Sequence, residues 1–264
     1  MGNIAIAKET LAVIKAGAYS YEGRTVRLPE NDFTAVEVIS PEAGAALLEA
    51  PLPEAGSPCT ITVTTDDSIS AALKLRHPLV MNFANAHHAG GGFMLGANAQ
   101  EEAICRCSTL FASITSQAAR EMYGYNNTHP SAVESDYMLF SPEVTVFRDG
   151  ACNFLPETAQ ISVMTVPAPN RRGAAVFASA AKIGEAMYRR IRIMLRFAAQ
   201  RGIRELVLGA WGCGAFGNDP QAVSSHFRRA LLEDGLGAYF DTVIFAIYGK
   251  PDSKNYLAFK KTFG

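Results

Sequence analysis

Apolar and polar positions follow two rhythms along this chain, and the change from one to the other sets its organisation. From Asn3 to Gly17 the apolar residues recur at helical spacing, which predicts an amphipathic helix. Tyr19 to Val38 reads as short strand-like pieces broken at Glu22-Gly23 and at Pro29. Ser40-Pro41-Glu42 opens a second helix to about Ala50, with Ser40 as its N-cap. Pro51, Pro53, Gly56 and Pro58 then make a loop. Residues 1–58 are therefore expected to form an accessory segment ahead of a main domain over 59–264.

From Cys59 onward strands alternate with helices. Thr60–Thr64 alternates as a strand, and Asp66-Asp67-Ser68 caps a helix to Lys74. Pro78–Ala84 is almost continuously apolar, as in a parallel strand buried on both faces. A helix is expected over Glu101–Arg120, and strands over Tyr137–Ser141, Val144–Arg148 and Ile161–Val166. A long helix follows at Phe177–Arg201, then a strand at Glu205–Ala210 and a helix at Pro220–Glu233 with His226 on its polar face. Thr242–Tyr248 reads as the closing strand. The pattern predicts an α/β layer architecture with a mixed sheet.

Ligands of such folds sit beyond the carboxyl ends of the strands. Two strands there run into glycine-rich loops, Gly90-Gly91-Gly92 after Asn82 and Asn85, and Gly209 to Asn218. If the two strands are neighbours, the loops face each other across one crevice. Consecutive backbone N–H groups at such loops can cradle a phosphate. A seven-residue spacer then leads from Gly92 to Gln100-Glu101-Glu102. A carboxylic acid beside a nucleotide sugar suits glycosyl transfer, where the leaving oxygen must collect a proton. Burial or a like charge would have to raise that acid's pKa, and Glu101 beside Glu102 offers the like charge. Adjacent helical residues nevertheless point about 100° apart.

Composition narrows the classes. Lys+Arg 24 against Asp+Glu 25 gives a net charge of −1, so no global field draws the chain to nucleic acid or membrane. No apolar run approaches a membrane span and no signal peptide is expected. The five cysteines, Cys59, Cys105, Cys107, Cys152 and Cys213, are odd in number and scattered, which points to reduced thiols in the cytoplasm. Cys105 and Cys107 would face apart on a helix. His77, His87, His88, His129 and His226 show no metal-ligand spacing, and His87-His88 reads as solvated loop. No metal or cofactor is required.

Taken together, Gly90-Gly91-Gly92, the spacer to Gln100-Glu101-Glu102, and Trp211 to Pro220 resemble the macrodomain superfamily, more narrowly its bacterial-type poly(ADP-ribose) glycohydrolases. Ser141–Arg148, Pro167–Asn170 and Asn82-Phe83-Ala84-Asn85 are similar to the same family. The resemblance implies a macrodomain-like three-layer fold with the mixed sheet between helices. It implies hydrolysis of ribose–ribose bonds in poly(ADP-ribose), or on ADP-ribosylated proteins, with ADP-ribose released, and an exo preference. No sequence-specific nucleic-acid contact is implied. By position, Glu102 would be the catalytic acid and Glu101 would fix a ribose hydroxyl. Asn85 would orient the distal ribose, and Gln100 joins the substrate-binding set. Gly90, Gly91, Gly92 and the loop Gly212, Cys213, Gly214, Ala215 and Phe216 would take the diphosphate, Phe216 also bordering the distal ribose. Asp66 and Asp67 compete for the adenine, with Asp67 preferred because it immediately precedes a helix.

Blander readings stand beside these. Trp211 is expected in the core, and Cys213 is expected to be a small loop residue rather than a nucleophile. Arg189, Arg190, Arg192 and Arg196 read as a solvated face. For Asn170-Arg171-Arg172, near the expected rim, substrate contact and plain solvation stay open. The rival functions are a hydrolase for mono-ADP-ribosyl groups and a non-catalytic ADP-ribose-binding macrodomain. A P-loop is excluded, since Phe93-Met94 stands where Gly-Lys-Ser/Thr would be needed.

Overall fold

The computed structural model describes residues 2–57 and 59–264; Pro58 of the expected loop lies outside them. In chain order the first elements are α1 (Asn3–Ala16), β1 (Ala18–Tyr21), β2 (Arg24–Arg27), β3 (Glu37–Ile39), α2 (Pro41–Glu49), β4 (Thr60–Thr64), α3 (Ser68–Ala72) and β5 (Leu79–Ala84). Then come α4 (Gln100–Cys107), α5 (Leu110–Ile114), α6 (Arg120–Thr128), β6 (Met138–Arg148) and β7 (Phe154–Pro167). The chain ends with α7 (Ala180–Gln200), β8 (Glu205–Leu208), α8 (Pro220–Arg228), β9 (Thr242–Ala246) and α9 (Lys254–Phe263).

Seven strands form one mixed sheet in the order β3-β6-β7-β5-β8-β9-β4. β7, β5, β8, β9 and β4 are parallel to one another, while β6 runs against them, paired antiparallel with both β7 and the edge strand β3. The central strands β5, β8 and β9 are nearly all apolar because both faces are covered. Leu79, Met81, Leu206, Leu208, Val243 and Phe245 join the core shared with α7, α8 and α9. Val80, Val163, Val207 and Ile244 alternate with them and meet Ile69, Ile104, Leu110 and Met122 on the other side. This is the expected three-layer arrangement.

Residues 2–57 are built into the same body. β3 pairs with β6, and the Arg196 guanidinium of α7 donates to Leu47 O on α2 at 2.6 Å. Thr10 of α1 donates to Arg106 O at 2.7 Å, and Asn3 Nδ2 donates to Gly96 O at 3.1 Å, so α1 braces the loop leading into α4.

Several elements differ from the sequence expectation for local reasons. The helix expected over Glu101–Arg120 is two short ones, α4 and α5, and α6 begins only at Arg120. Ser108 Oγ bonds Ile104 O at 2.8 Å, and Thr109 exchanges bonds with the Thr145 backbone, so the chain leaves the helix to pair with β6. The strands expected at Tyr137–Ser141 and Val144–Arg148 are one, with a register shift between Ser141 and Val144 where Pro142 has no N–H to give. α7 starts at Ala180, not Phe177, because Ser179 caps it through Lys182 N. The expected final strand is followed by α9, whose Phe263 stacks on Phe245.

Arg190, expected on a solvated face, is fully buried. It bonds Asp136 Oδ1 at 2.9 Å and the carbonyls of Val133, Glu134 and Pro167, tying α7 to the approach to β6. Removing it leaves the buried Asp136 with only the more exposed Arg189 and takes a donor from three carbonyls. Arg190→Met is therefore expected to lower the unfolding free energy by about 3–5 kcal/mol, read from urea denaturation midpoints.

Candidate active site

β5 and β8 are neighbours, with Leu79 opposite Leu206. The two glycine loops therefore open at the same sheet edge, and a cleft of ≈ 730 Å³ lies there. Asp67, Asn85, Gly91, Gly92, Gln100, Glu101, Glu102, Gly212, Gly214, Ala215 and Phe216 line it; of the sequence-derived candidates, Gly90 and Cys213 do not.

The two acids open α4, where their charge faces the positive end of the helix. Glu102 Oε1 accepts from Gly92 N at 2.9 Å and its Oε2 from Ala99 N at 3.1 Å. Glu101 Oε2 accepts from Asn85 N at 3.0 Å and its Oε1 from Asn82 Nδ2 at 3.2 Å. Gly91 sits at φ +53, and a side chain there would collide with the Glu102 carboxylate. The glycine turn thus makes room for the acids. Its N–H groups are already committed, Gly91 to His88 O and Gly92 to Glu102.

Burial pushes the Glu101 carboxyl up to about 8. Hydrogen bonds from Asn85, Asn82 and Gly90 pull it down, and the neighbouring Glu102 adds a smaller upward push. Burial is thus the larger cause for this acid, ahead of the like charge weighed from the sequence.

The β8 loop is different. Among the described residues, the N–H groups of Gly212, Gly214, Ala215 and Phe216 have no acceptor, and all four residues line the cleft. Gly212 adopts φ +72, and a Cβ on it would press on Ala168 and Asn218. Asn218 Nδ2 holds the loop through Pro169 O at 2.9 Å. Trp211 is fully buried and donates to Val166 O at 3.0 Å, as expected of a core residue. Burial pushes the Cys213 thiol up to about 12, so it is no nucleophile.

The remaining candidates are partly occupied by the fold. Gln100 bonds Phe83 N, Ser68 Oγ and Met81 O, fastening α4 to β5 and α3. Asn85 Oδ1 accepts from His87 N and His88 N, leaving its Nδ2 without a partner among the described residues. His87 is pinned rather than solvated, between Glu134 at 3.1 Å and Asn127 at 3.0 Å. Asp67 caps α3 through Ile69 N and Ser70 N and lines the cleft, whereas Asp66 pairs with Lys74 outside it.

Sequence reasoning missed three parts of the wall. Asn3 reaches it from α1, and Tyr248, 80% exposed, stands just past β9. Gly150, Ala151 and Cys152, in the β6–β7 turn, close over Asp67. The carboxyl end of β9 was a place to look for Tyr248, because that strand lies in the parallel set. Nothing in the sequence joined Cys152 to Cys107, whose sulfurs lie 3.9 Å apart.

A sequence model described as the catalytic domain of microbial-type PARG, poly(ADP-ribose) glycohydrolase, matches residues 7–149. The chain is similar to the crystal structure of poly(ADP-ribose) glycohydrolase from Thermomonospora curvata, with TM-score 0.93 and 36% identity over 99% of both chains. The same protein bound to the inhibitor ADP-HPD gives TM-score 0.90 at 36% identity, again over 99% of both. The Deinococcus radiodurans poly(ADP-ribose) glycohydrolase in complex with ADP-ribose gives TM-score 0.81 and 36% identity, over 90% of this chain and 98% of that one. No curated protein matches the chain.

Two outcomes follow from the charges alone. The folded chain holds the Glu101 proton to a higher pH than the unfolded chain, so unfolding releases it between about pH 4.5 and 8. Stability is expected to fall as pH rises through that window, by at most about 1.4 kcal/mol per unit. Glu101→Gln should remove that slope in urea titrations run at several pH values. The Cys107 hydrogen bond, helped by Arg106 and Arg148, pushes the Cys152 thiol down to about 6 despite burial. Iodoacetamide should therefore label Cys152 at lower pH than an ordinary thiol, and labelling that rises only near pH 9 would contradict it.

Proposed function

The chain belongs to the microbial-type poly(ADP-ribose) glycohydrolase family, and we propose that it hydrolyses ribose–ribose O-glycosidic bonds of poly(ADP-ribose), releasing ADP-ribose, with Glu102 as general acid and base. The observation that carries this assignment of Glu102 is the grip on its carboxyl group. Gly92 and Ala99 fix both oxygens over the glycine turn at one end of a nucleotide-sized cleft.

In this reading the pyrophosphate rests on the unpaired N–H groups of Gly212, Gly214, Ala215 and Phe216. The Gly90–Gly92 turn contributes close approach more than donors. Glu102 gives its proton to the departing ribose oxygen as the C–O bond breaks. The oxocarbenium-like sugar is stabilised by the neighbouring diphosphate. The Glu102 carboxylate then takes a proton from the attacking water, which restores the acid. Glu101, kept protonated at neutral pH by burial, bonds a ribose hydroxyl without adding a second negative charge. Asn85 Nδ2 is the free donor for the distal ribose, and Asp67 takes the adenine amino group. Phe216 borders the distal ribose, and with the accessory segment 1–58 it favours cleavage at chain ends. Five unpaired thiols suit a reducing, cytoplasmic setting.

Glu102→Gln should leave the fold intact and lower turnover of labelled polymer by at least about 10²-fold, with ADP-ribose still bound in calorimetry. Normal rates in a folded variant remove Glu102 from the mechanism. Free ADP-ribose from polymer, with none from a mono-modified acceptor, separates this activity from a mono-ADP-ribosyl hydrolase. Stoichiometric binding without product would leave a reader.

A further inference from the structure

We propose that the turn after β7 carries a second nucleotide subsite, in which Phe177 stacks the adenine and Arg171 pairs the pyrophosphate of the penultimate ADP-ribose unit. This rests on the poly(ADP-ribose) reading above. Phe177 is 94% exposed and its neighbour Val176 61% exposed. Single exposed apolar residues are ordinary, but three features set this pair apart.

The first is rigidity. Asn170 O accepts from Gly173 N at 3.0 Å and from Ala175 N at 2.9 Å, and Asn170 Oδ1 accepts from Arg172 N at 3.0 Å. Ala175 is buried beneath the turn, and Ser179 starts α7 only afterwards. Val176 and Phe177 close the short 3-10 turn Ala174–Phe177 and are turned to solvent. The backbone that presents the ring is thus held in one place, which lowers the ordering cost when a base stacks on it.

The second feature is position. Arg171 N donates to Phe216 O at 2.9 Å, so the turn is bonded to the loop that walls the cleft. Phe177 follows Ala175 by two residues, at most about 7 Å of chain, and Ala175 N is bonded back to Asn170 beside that junction. The platform is therefore continuous with the wall that borders the terminal sugar.

Charge is the third. Among the described residues, neither Arg171 nor Arg172 has a carboxylate within 4.0 Å, although both are exposed. The exposed Arg24, Arg27, Arg76, Arg120 and Arg229 likewise pair with no acid among the described residues, so what singles out Arg171 is its bond to the Phe216 loop. The chain leaving the scissile bond presents an adenine and two phosphate charges per unit. Adenine stacks on an aromatic face, and guanidinium pairs phosphate oxygens. A protein surface would offer neither in that fixed order.

The test uses Glu102→Gln chains, so that ligands stay intact, titrated with ADP-ribose and with the ADP-ribose dimer. The dimer is expected to bind about tenfold more tightly than the monomer, within the usual range for one stacked base. Phe177→Ala should abolish that difference and leave monomer affinity unchanged, while Phe177→Tyr should retain it. Arg171→Glu should reduce it and weaken its dependence on salt. A dimer that binds no better than the monomer, or a preference that survives Phe177→Ala, overturns the subsite. An effect of Phe177→Ala on release from modified protein, with none on free polymer, overturns it in favour of an acceptor contact. Failure of the parent reading shows separately, as an unmutated chain that releases no ADP-ribose from polymer.

Discussion

Two adjacent carboxyl groups are taken out of water here, and the fold spends its local backbone donors on them. The N–H groups of Asn85, Gly90, Gly92 and Ala99, with the Asn82 side chain, all converge on Glu101 and Glu102. A buried charge without such partners would not be tolerated. Those donors come from the end of β5, from the glycine turn and from the first residue before α4. The path of the whole Asn82–Glu102 segment is therefore set by the acids it must satisfy. Any side chain at position 91 would occupy the space the Glu102 carboxylate needs.

The second constraint is the sheet. β5 and β8 lie side by side in register at the centre of the parallel set, so the acid-bearing segment and the Gly212–Phe216 loop must emerge together. Each layer of helices then holds one of them. α1 braces the approach to α4 through Thr10 and Asn3, while the segment after β7 is bonded to the Phe216 loop through Arg171. The separation of the two loops is thereby set from both faces of the sheet, without either loop being long.

Much of this was legible in the sequence because the signals were local. The apolar run at Pro78–Ala84, the caps at Ser40 and Asp67, and the two glycine loops each follow from a few neighbouring residues. What escaped depends on contacts distant in sequence. The break at Ser108 is enforced by β6, the burial of Arg190 by Asp136, and the meeting of Cys107 with Cys152 by the β6–β7 turn. Tyr248 was hidden for another reason: a lone aromatic after a strand reads as part of that strand until its neighbours are known.

The glycines show most clearly how a motif can be read correctly as a place and still leave its physical task open. A glycine triplet before acids suggests donors for phosphate, because exposed N–H groups are what such turns usually offer. In this chain the Gly91 and Gly92 donors point inward, one to His88 and one to Glu102. The unpaired donors lie across the cleft, at Gly212, Gly214, Ala215 and Phe216. In our reading the two loops therefore divide the work: one supplies space and a fixed acid, the other supplies positive dipoles for the pyrophosphate. The division is favourable electrostatically. Donors that both held the carboxyl group and bound phosphate would be shared between two acceptors, and each would weaken the other's hold.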